Sequence, residues 1–365
     1  MKIQNIISFL ETLAPVSLQE SYDNAGLLTG EANWECTGII TTLDSTLAVI
    51  EEAIEKKCNL IVAHHPIIFN GLKNITGKNY IEKTIIKAIK NDIAIYAIHT
   101  NLDNVLTGVN GKMANQLGLI NRQILLPKQG ILKKLVTFIP IAHAEDLSNA
   151  LFNAGAGNIG KYSECSFTAA GEATFKAGAN ANPFVGEIGK RHTEKEIRVE
   201  VIYPAWNEKR ILQAMRTVHP YEEVAYDIYI LDNKLQDTGS GLTGELPDAI
   251  SEVEFLDKLK SAFGLSVIKY TPLLGKQVKK IALCGGAGSF LINNAIGCGA
   301  DFYITGDVKY HEFFDADNKV VIADIGHYES EQYTIDLLFD NLSEKFPNFA
   351  VLKTGVKTNP VNYYV

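Results

Sequence analysis

Residues 59–63 (Asn-Leu-Ile-Val-Ala) and 93–98 (Ile-Ala-Ile-Tyr-Ala-Ile) are near-continuous apolar runs. A strand without polar alternation has both faces buried, the condition of a central strand in a sheet covered by helices. Residues 81–91 between them, and residues 46–57 before them with Leu47, Ile50 and Ile54, carry helical spacing. Strand, helix and strand of these lengths make a βαβ unit, whose strands run parallel. With 46% apolar and 21% charged residues over 365 positions, the chain can fill two or three domain cores. Disorder as the main state is excluded.

The same grammar returns in the last third. Strands are predicted at 279–284, 302–305, 320–324 and 349–353, and helices at 290–296, around 309–316 and from about 329 to 342. The middle differs. Residues 134–140, 144–154 and 162–168 read as strand, helix, strand, and residues 196–203, 206–218 and 225–231 repeat that order. Between them, residues 172–191 read as an irregular excursion or hairpin. This is the order of a ferredoxin-like α+β unit. Residues 237–244, Asp-Thr-Gly-Ser-Gly-Leu-Thr-Gly, read as a linker back. The expected architecture is an α/β core of two lobes with mostly parallel sheets, residues 1–126 and 238–365, interrupted by an insertion over 130–233.

The net charge is −8 and the pI near 5.6. That leaves no global attraction for a phosphate backbone, so nucleic acid is disfavoured as a partner. No stretch approaches the roughly 18 apolar residues of a membrane span. The first 13 residues read as a short amphipathic helix, not a signal peptide. The five cysteines have no CxxC spacing and read as buried thiols of a reducing compartment. A cytoplasmic protein is expected.

Four places carry residues with metal-ligand chemistry. His64-His65-Pro66 ends one buried strand, Pro66 stopping it. His99-Thr100-Asn101-Leu102-Asp103 follows the next. Thr305-Gly306-Asp307 with His311 follows a third, and Gly326-His327 with Glu331 opens the final helix, where i,i+4 spacing puts His327 and Glu331 on one face. All lie at carboxyl ends of strands or the helix starts beyond, where open α/β sheets place ligands. Each has a plainer reading: a His-His pair as core filler, HxxxE as a solvated face, Asp103 as a helix cap. The turn Gly285 to Ser289 lacks the Lys-Ser/Thr of a phosphate loop and reads as close strand–helix packing. The conjunction favours a mixed nitrogen and oxygen site for two ions.

These motifs, with Tyr22-Asp23-Asn24-Ala25-Gly26-Leu27-Leu28-Thr29-Gly30, resemble the GTP cyclohydrolase I type 2 homologue family, also called NIF-like. The resemblance covers essentially the whole chain, with Tyr22 where many members carry Trp. Gly155-Ala156-Gly157 through Tyr162, Cys165-Ser166-Phe167 and His219-Pro220-Tyr221-Glu222-Glu223 resemble the inserted PII-like (CutA-like) domain of its longer members. The resemblance implies a dinuclear site with His64, His65, Asp103, His327 and Glu331 as ligands. It also implies a toroidal homohexamer with its metal sites facing an internal cavity.

Two functions are then expected. One is metal-dependent hydrolysis, as a GTP cyclohydrolase opening the purine imidazole ring with release of formate. The other is a non-catalytic metal-bearing ring that binds partners or small molecules, with the PII-like unit as sensor. Zinc is the default for the two divalent ions, with iron, manganese and cobalt compatible with the same ligands. His65 and Asp103 are expected at one ion, His64 and His327 at the other, and Glu331 between them. His99 stands beside them as a proton shuttle or a hydrogen-bonded support.

Overall fold

The two apolar runs pair as parallel neighbours in the centre of one sheet. In a computed structural model, which describes residues 1–364, strands β1 (Gly26–Thr29), β2 (Ile39–Asp44), β3 (Leu60–His65), β4 (Ala94–Ala97) and β15 (Val351–Lys353) lie in the order β1-β4-β3-β2-β15. Every pair is parallel except β1 with β4. Side chains alternate along β3. Leu60 and Val62 face the helices Ile3–Leu13 and Thr334–Lys345, packing with Ile6, Leu10, Leu338 and Leu342. Ile61 and Ala63 face Leu47–Glu55 and Tyr80–Lys90, packing with Ile50 and Ile85. Each fully buried aliphatic side chain contributes roughly 1.5–3 kcal/mol. The Asn79 side chain caps Tyr80–Lys90 by accepting from the Glu82 N–H at 2.9 Å.

The second sheet orders β11 (Lys269–Tyr270), β14 (Val321–Asp324), β13 (Phe302–Gly306), β12 (Gln277–Ala287), β10 (Gly239–Ser251) and β5 (Ile120–Pro127) as β11-β14-β13-β12-β10-β5. Only β12–β13 and β13–β14 are parallel, and the outer strands join antiparallel. The α/β class therefore holds, while the parallel arrangement is confined to the first sheet and the middle of the second. The helix Glu252–Phe263 packs Phe255 edge-on to Phe302, ring centroids 4.8 Å apart.

Two expectations are corrected. Residues 237–244 are not a linker: most of them open β10, with Leu242 and Leu246 buried and the Thr243 hydroxyl donating to the Ile281 carbonyl at 3.0 Å. The glycines that suggested a linker serve close packing. Gly241 has φ +64°, and a Cβ there would stand 2.7 Å from Leu291. The final helix is also broken, into His327–Glu331 and Thr334–Lys345, and residues 310–316 form a 3-10 helix.

The chain divides into two compact units, Met1–Pro127 with Asp237 onward, and Lys128–Gln236. The second unit holds β6 (Leu132–Pro140), β7 (Ser166–Lys176), β8 (Arg191–Pro204) and β9 (Tyr226–Leu231), ordered β7-β8-β6-β9 and antiparallel throughout. Helices Ala144–Asn153 and Glu208–Val218 complete a βαββαβ chain order, packing Leu147, Leu151, Ile211 and Met215 on Leu135 and Val201. Here β7 and β8 form one long hairpin across the excursion. No helix among the described residues is long and apolar enough to cross a membrane, and all five cysteines are free.

Candidate metal centre

The strand ends β3, β4 and β14, and the turn after β12, bring their polar residues to one place in the first unit. His64 is fully buried, and its Nδ1 lies 2.9 Å from the Ile98 carbonyl. A carbonyl only accepts, so Nδ1 carries the proton and Nε2 presents a lone pair. That Nε2 has no hydrogen-bond partner, and neither does Asp103 Oδ1, 3.6 Å away. Glu331 Oε1 stands 3.8 Å from the same Nε2.

The other oxygen of Glu331 serves a second group. Oε2 is 2.9 Å from His65 Nε2 and 3.2 Å from His327 Nε2. Both imidazoles are oriented from behind by carboxylates: His65 Nδ1 by Asp44 at 2.8 Å, and His327 Nδ1 by Asp307 at 2.7 Å. His99 follows the same pattern, its Nδ1 held by Asp23 at 2.7 Å. Carboxylate or carbonyl behind Nδ1, with Nε2 aimed inward, is the usual arrangement for metal-binding imidazoles.

A set of acceptors facing acceptors needs positive charge between them. His64, Asp103 and Glu331 form one group that could hold a metal ion, and His65, His327 and Glu331 another. The two orphaned buried atoms, His64 Nε2 and Asp103 Oδ1, belong to the first group, and a buried polar atom without a partner is costly. These residues therefore fit divalent cations held by nitrogen and oxygen donors.

With protons as the cations, the same field acts on the side chains. Burial opposes a charged His65, yet its bonds to Asp44 and Glu331 push it up to about 10. His327, likewise opposed by burial, is carried by Glu331 and Asp307 up to about 9. Burial would raise Glu331, but the imidazoles of His327 and His65 hold it well below the ordinary carboxylate range. Burial, reinforced by the Glu331 charge, pushes Asp103 up to about 7. Asp23 resists its own burial through His99 and Thr100 and sits at about 2.

All five residues singled out in the sequence are thus brought together. Their grouping differs from the expected one: His64 lies with Asp103 and His65 with His327. His64 and His65 also converge with His99 in a third group, because both histidines reach one place where β3 ends, their ring centroids 4.9 Å apart. His311 is not part of the cluster, and packs on Phe314 and Tyr310 instead. Sequence reasoning missed the orienting carboxylates Asp44 and Asp23. Asp44 ends β2 as His65 ends β3, with which it pairs, so the same strand-end rule could have found it.

The glycines that end β12 have a use beyond strand–helix packing. Gly286 has φ +60°, and a Cβ there would collide with the Glu331 carboxylate. Its N–H donates to Ser330 Oγ at 3.0 Å. Only a glycine lets this backbone pass so close to the shared carboxylate. The cluster opens on a cavity of about 390 Å³ whose wall includes His99, Tyr22, Phe69 and Phe290.

A family model described as Duf34/NIF3 (NGG1p interacting factor 3) matches residues 1–360. A Halalkalibacterium halodurans protein named GTP cyclohydrolase 1 type 2 homolog is 38% identical over 371 residues, covering all of both chains. A Bacillus subtilis protein of the same name is 39% identical over 327 residues, covering 89% of this chain and 88% of that one. Among solved structures, a Bacillus cereus protein related to NIF3 superposes with TM-score 0.86 at 38% identity, covering 100% of this chain and 99% of the other. By sequence and by fold, this chain belongs to the Duf34/NIF3 family.

Proposed function

We propose that the chain is a metal-dependent hydrolase that takes two divalent cations on His64, His65, Asp103, His327 and Glu331, and that it acts on a purine nucleotide such as GTP. The observation that carries this reading is Glu331, 3% exposed, with one oxygen turned to His64 and the other to His65 and His327. Two cations held there would lower the pKa of a bound water towards ~7 and draw charge from an anionic substrate.

The chain's own residues supply the rest. Among its lining residues the cavity has Glu20, Asp103 and Glu331 and no lysine or arginine, so attraction for a nucleotide would come from the bound cations. Tyr22, Phe69 and Phe290 are exposed aromatics of that wall and offer faces for a planar base. His99 also lines the cavity, and its Nε2, opposite the bond to Asp23, can take a proton from it. The substrate follows from the relatives' name, GTP cyclohydrolase 1 type 2 homolog. A toroidal homohexamer, with Lys128–Gln236 as its PII-like part, belongs to the same reading.

The test is formate release from GTP by metal-loaded protein, beside Glu331→Ala, with zinc, iron, manganese and cobalt compared. Metal-dependent formate that disappears in the variant supports hydrolysis. No turnover across a panel of nucleotides and phosphoesters supports the other reading, a non-catalytic metal-bearing ring.

A further inference from the structure

The Lys128–Gln236 unit has a cavity of its own, of about 360 Å³, a size typical of small-molecule sites. Four aromatic residues line it, Phe138, Phe175, Phe184 and Tyr221. Phe175, near the end of β7, and Phe184, in the loop beyond, stand 6.3 Å and 6.2 Å from the ring of Tyr221. The Asn182 N–H donates to Glu222 Oε1 at 2.7 Å and ties that loop down.

A buried carboxylate sits among these rings. Glu196, on β8, is 5% exposed and lines the cavity. Its Oε1 accepts from the Tyr221 hydroxyl at 2.7 Å. No other hydrogen bond from a described residue reaches its side chain, although a carboxylate has about four acceptor positions. Tyr221 is itself fixed: its N–H donates to His219 Nδ1 at 3.1 Å, and His219 Nε2 donates to the Phe138 carbonyl at 2.9 Å. Glu222 and Glu223 add two carboxylates to the wall, against one described cation, Lys176.

We propose that this cavity binds a small protonated amine with an apolar body, its ammonium donating to Glu196 beside the rings of Tyr221 and Phe175. Each feature selects that chemistry. A buried acceptor calls for an N–H donor with positive charge, giving a charge-assisted hydrogen bond. Aromatic faces attract cations and cover an alkyl or aryl body. A quaternary ammonium has no N–H for Glu196. A hard metal ion needs six or more oxygens, and Glu196 belongs to no cluster of described side chains that could hold one. An anion meets three carboxylates.

Titration calorimetry of the full chain with phenethylamine, phenethyl alcohol and hydrocinnamate tests this. The amine should bind saturably, with the alcohol and the carboxylate weaker by roughly tenfold or more, the usual loss of a charged hydrogen bond. Glu196→Gln, which keeps the acceptor for Tyr221, should weaken the amine by a similar factor. Phe184→Ala, at a half-exposed position where truncation spares the fold, should weaken it several-fold. If Glu196→Gln fails to fold by circular dichroism, the ligand comparison and Phe184→Ala decide. Equal binding of alcohol and amine, or no binding of amine at millimolar concentration by folded protein, overturns the proposal. So does a folded Glu196→Gln or Phe184→Ala variant that binds the amine unchanged.

Discussion

Glu331 and Glu196 are both glutamates with almost no exposed surface, but they are partnered differently. Glu331 faces three imidazoles and Asp103, each positioned from behind by a carboxylate, a carbonyl or a helix turn. Glu196 accepts from a single phenol, in a wall of aromatic rings with Glu222, Glu223 and Lys176. A carboxylate among nitrogen and oxygen lone pairs suits a metal cation, and a carboxylate among aromatic faces suits an ammonium. Burial makes a glutamate demanding, and its neighbours decide what satisfies it.

The largest effect that can separate the two regions is loss of packing in one of them. Ile211 is fully buried in the cluster with Leu135 and Met215. Ile211→Ala should cost the Lys128–Gln236 unit about 2–5 kcal/mol and leave bound metal per chain unchanged. Calorimetric unfolding together with metal analysis checks both halves. Metal lost in parallel with that unit's stability would show that the two regions are one cooperative body.

A smaller effect sharpens the metal side. Asp44 orients His65 and in turn accepts from Thr358 Oγ1 at 2.6 Å. Asp44→Asn keeps the shape but weakens the acceptor behind His65, and metal affinity should fall about 10–100-fold. Competition with a chromogenic chelator measures it. An unchanged affinity would mean that His65 needs no support from behind.

The four places that build the cluster were legible because strand-end position and i,i+4 spacing are local properties, whereas the choice of five residues among them came from the family resemblance. The orienting Asp44 and Asp23 were less so, since a carboxylate ending a strand or a turn has many uses and its target lies far away in sequence. The direction of the outer strands of the second sheet was illegible for a related reason: β10 and β12 carry apolar residues whether their neighbours run parallel or antiparallel. The Gly-rich opening of β10 misled because glycine marks flexible chain and close packing alike, and only the neighbours of Gly241 tell them apart. The amine cavity draws Phe175, Phe184, Glu196 and Tyr221 from three separated segments, with no spacing to announce it.

The smallest expected effect concerns pH and the cavity wall. Burial lowers the pKa of His219, against the raising influence of its bond to the Phe138 carbonyl. The neutral ring accepts the Tyr221 N–H, and a protonated ring cannot. The unfolded group takes up its proton near pH ~6.5, whereas the folded group resists until lower pH. This contribution to stability is therefore complete above about pH 6.5 and lost as pH falls towards the folded pKa. Protection factors in the β6–β9 sheet, referred to the intrinsic exchange rate at each pH, should fall on acidification in the wild type, and less so in His219→Gln. A variant that responds as steeply as the wild type removes His219 as the cause.

The central claim is that Glu331 is shared between two cation positions, and bound metal per chain tests it most directly. Mass-spectrometric metal analysis of wild type, His64→Ala and Glu331→Ala, each confirmed folded by circular dichroism, should give two ions, one and none. His64→Ala empties the group made with Asp103 and leaves His65 with His327, whereas Glu331→Ala removes an acceptor from both groups at once and the anion that separates two cations. One ion in the saturated wild type, or two retained by Glu331→Ala while His64→Ala loses both, would contradict the account.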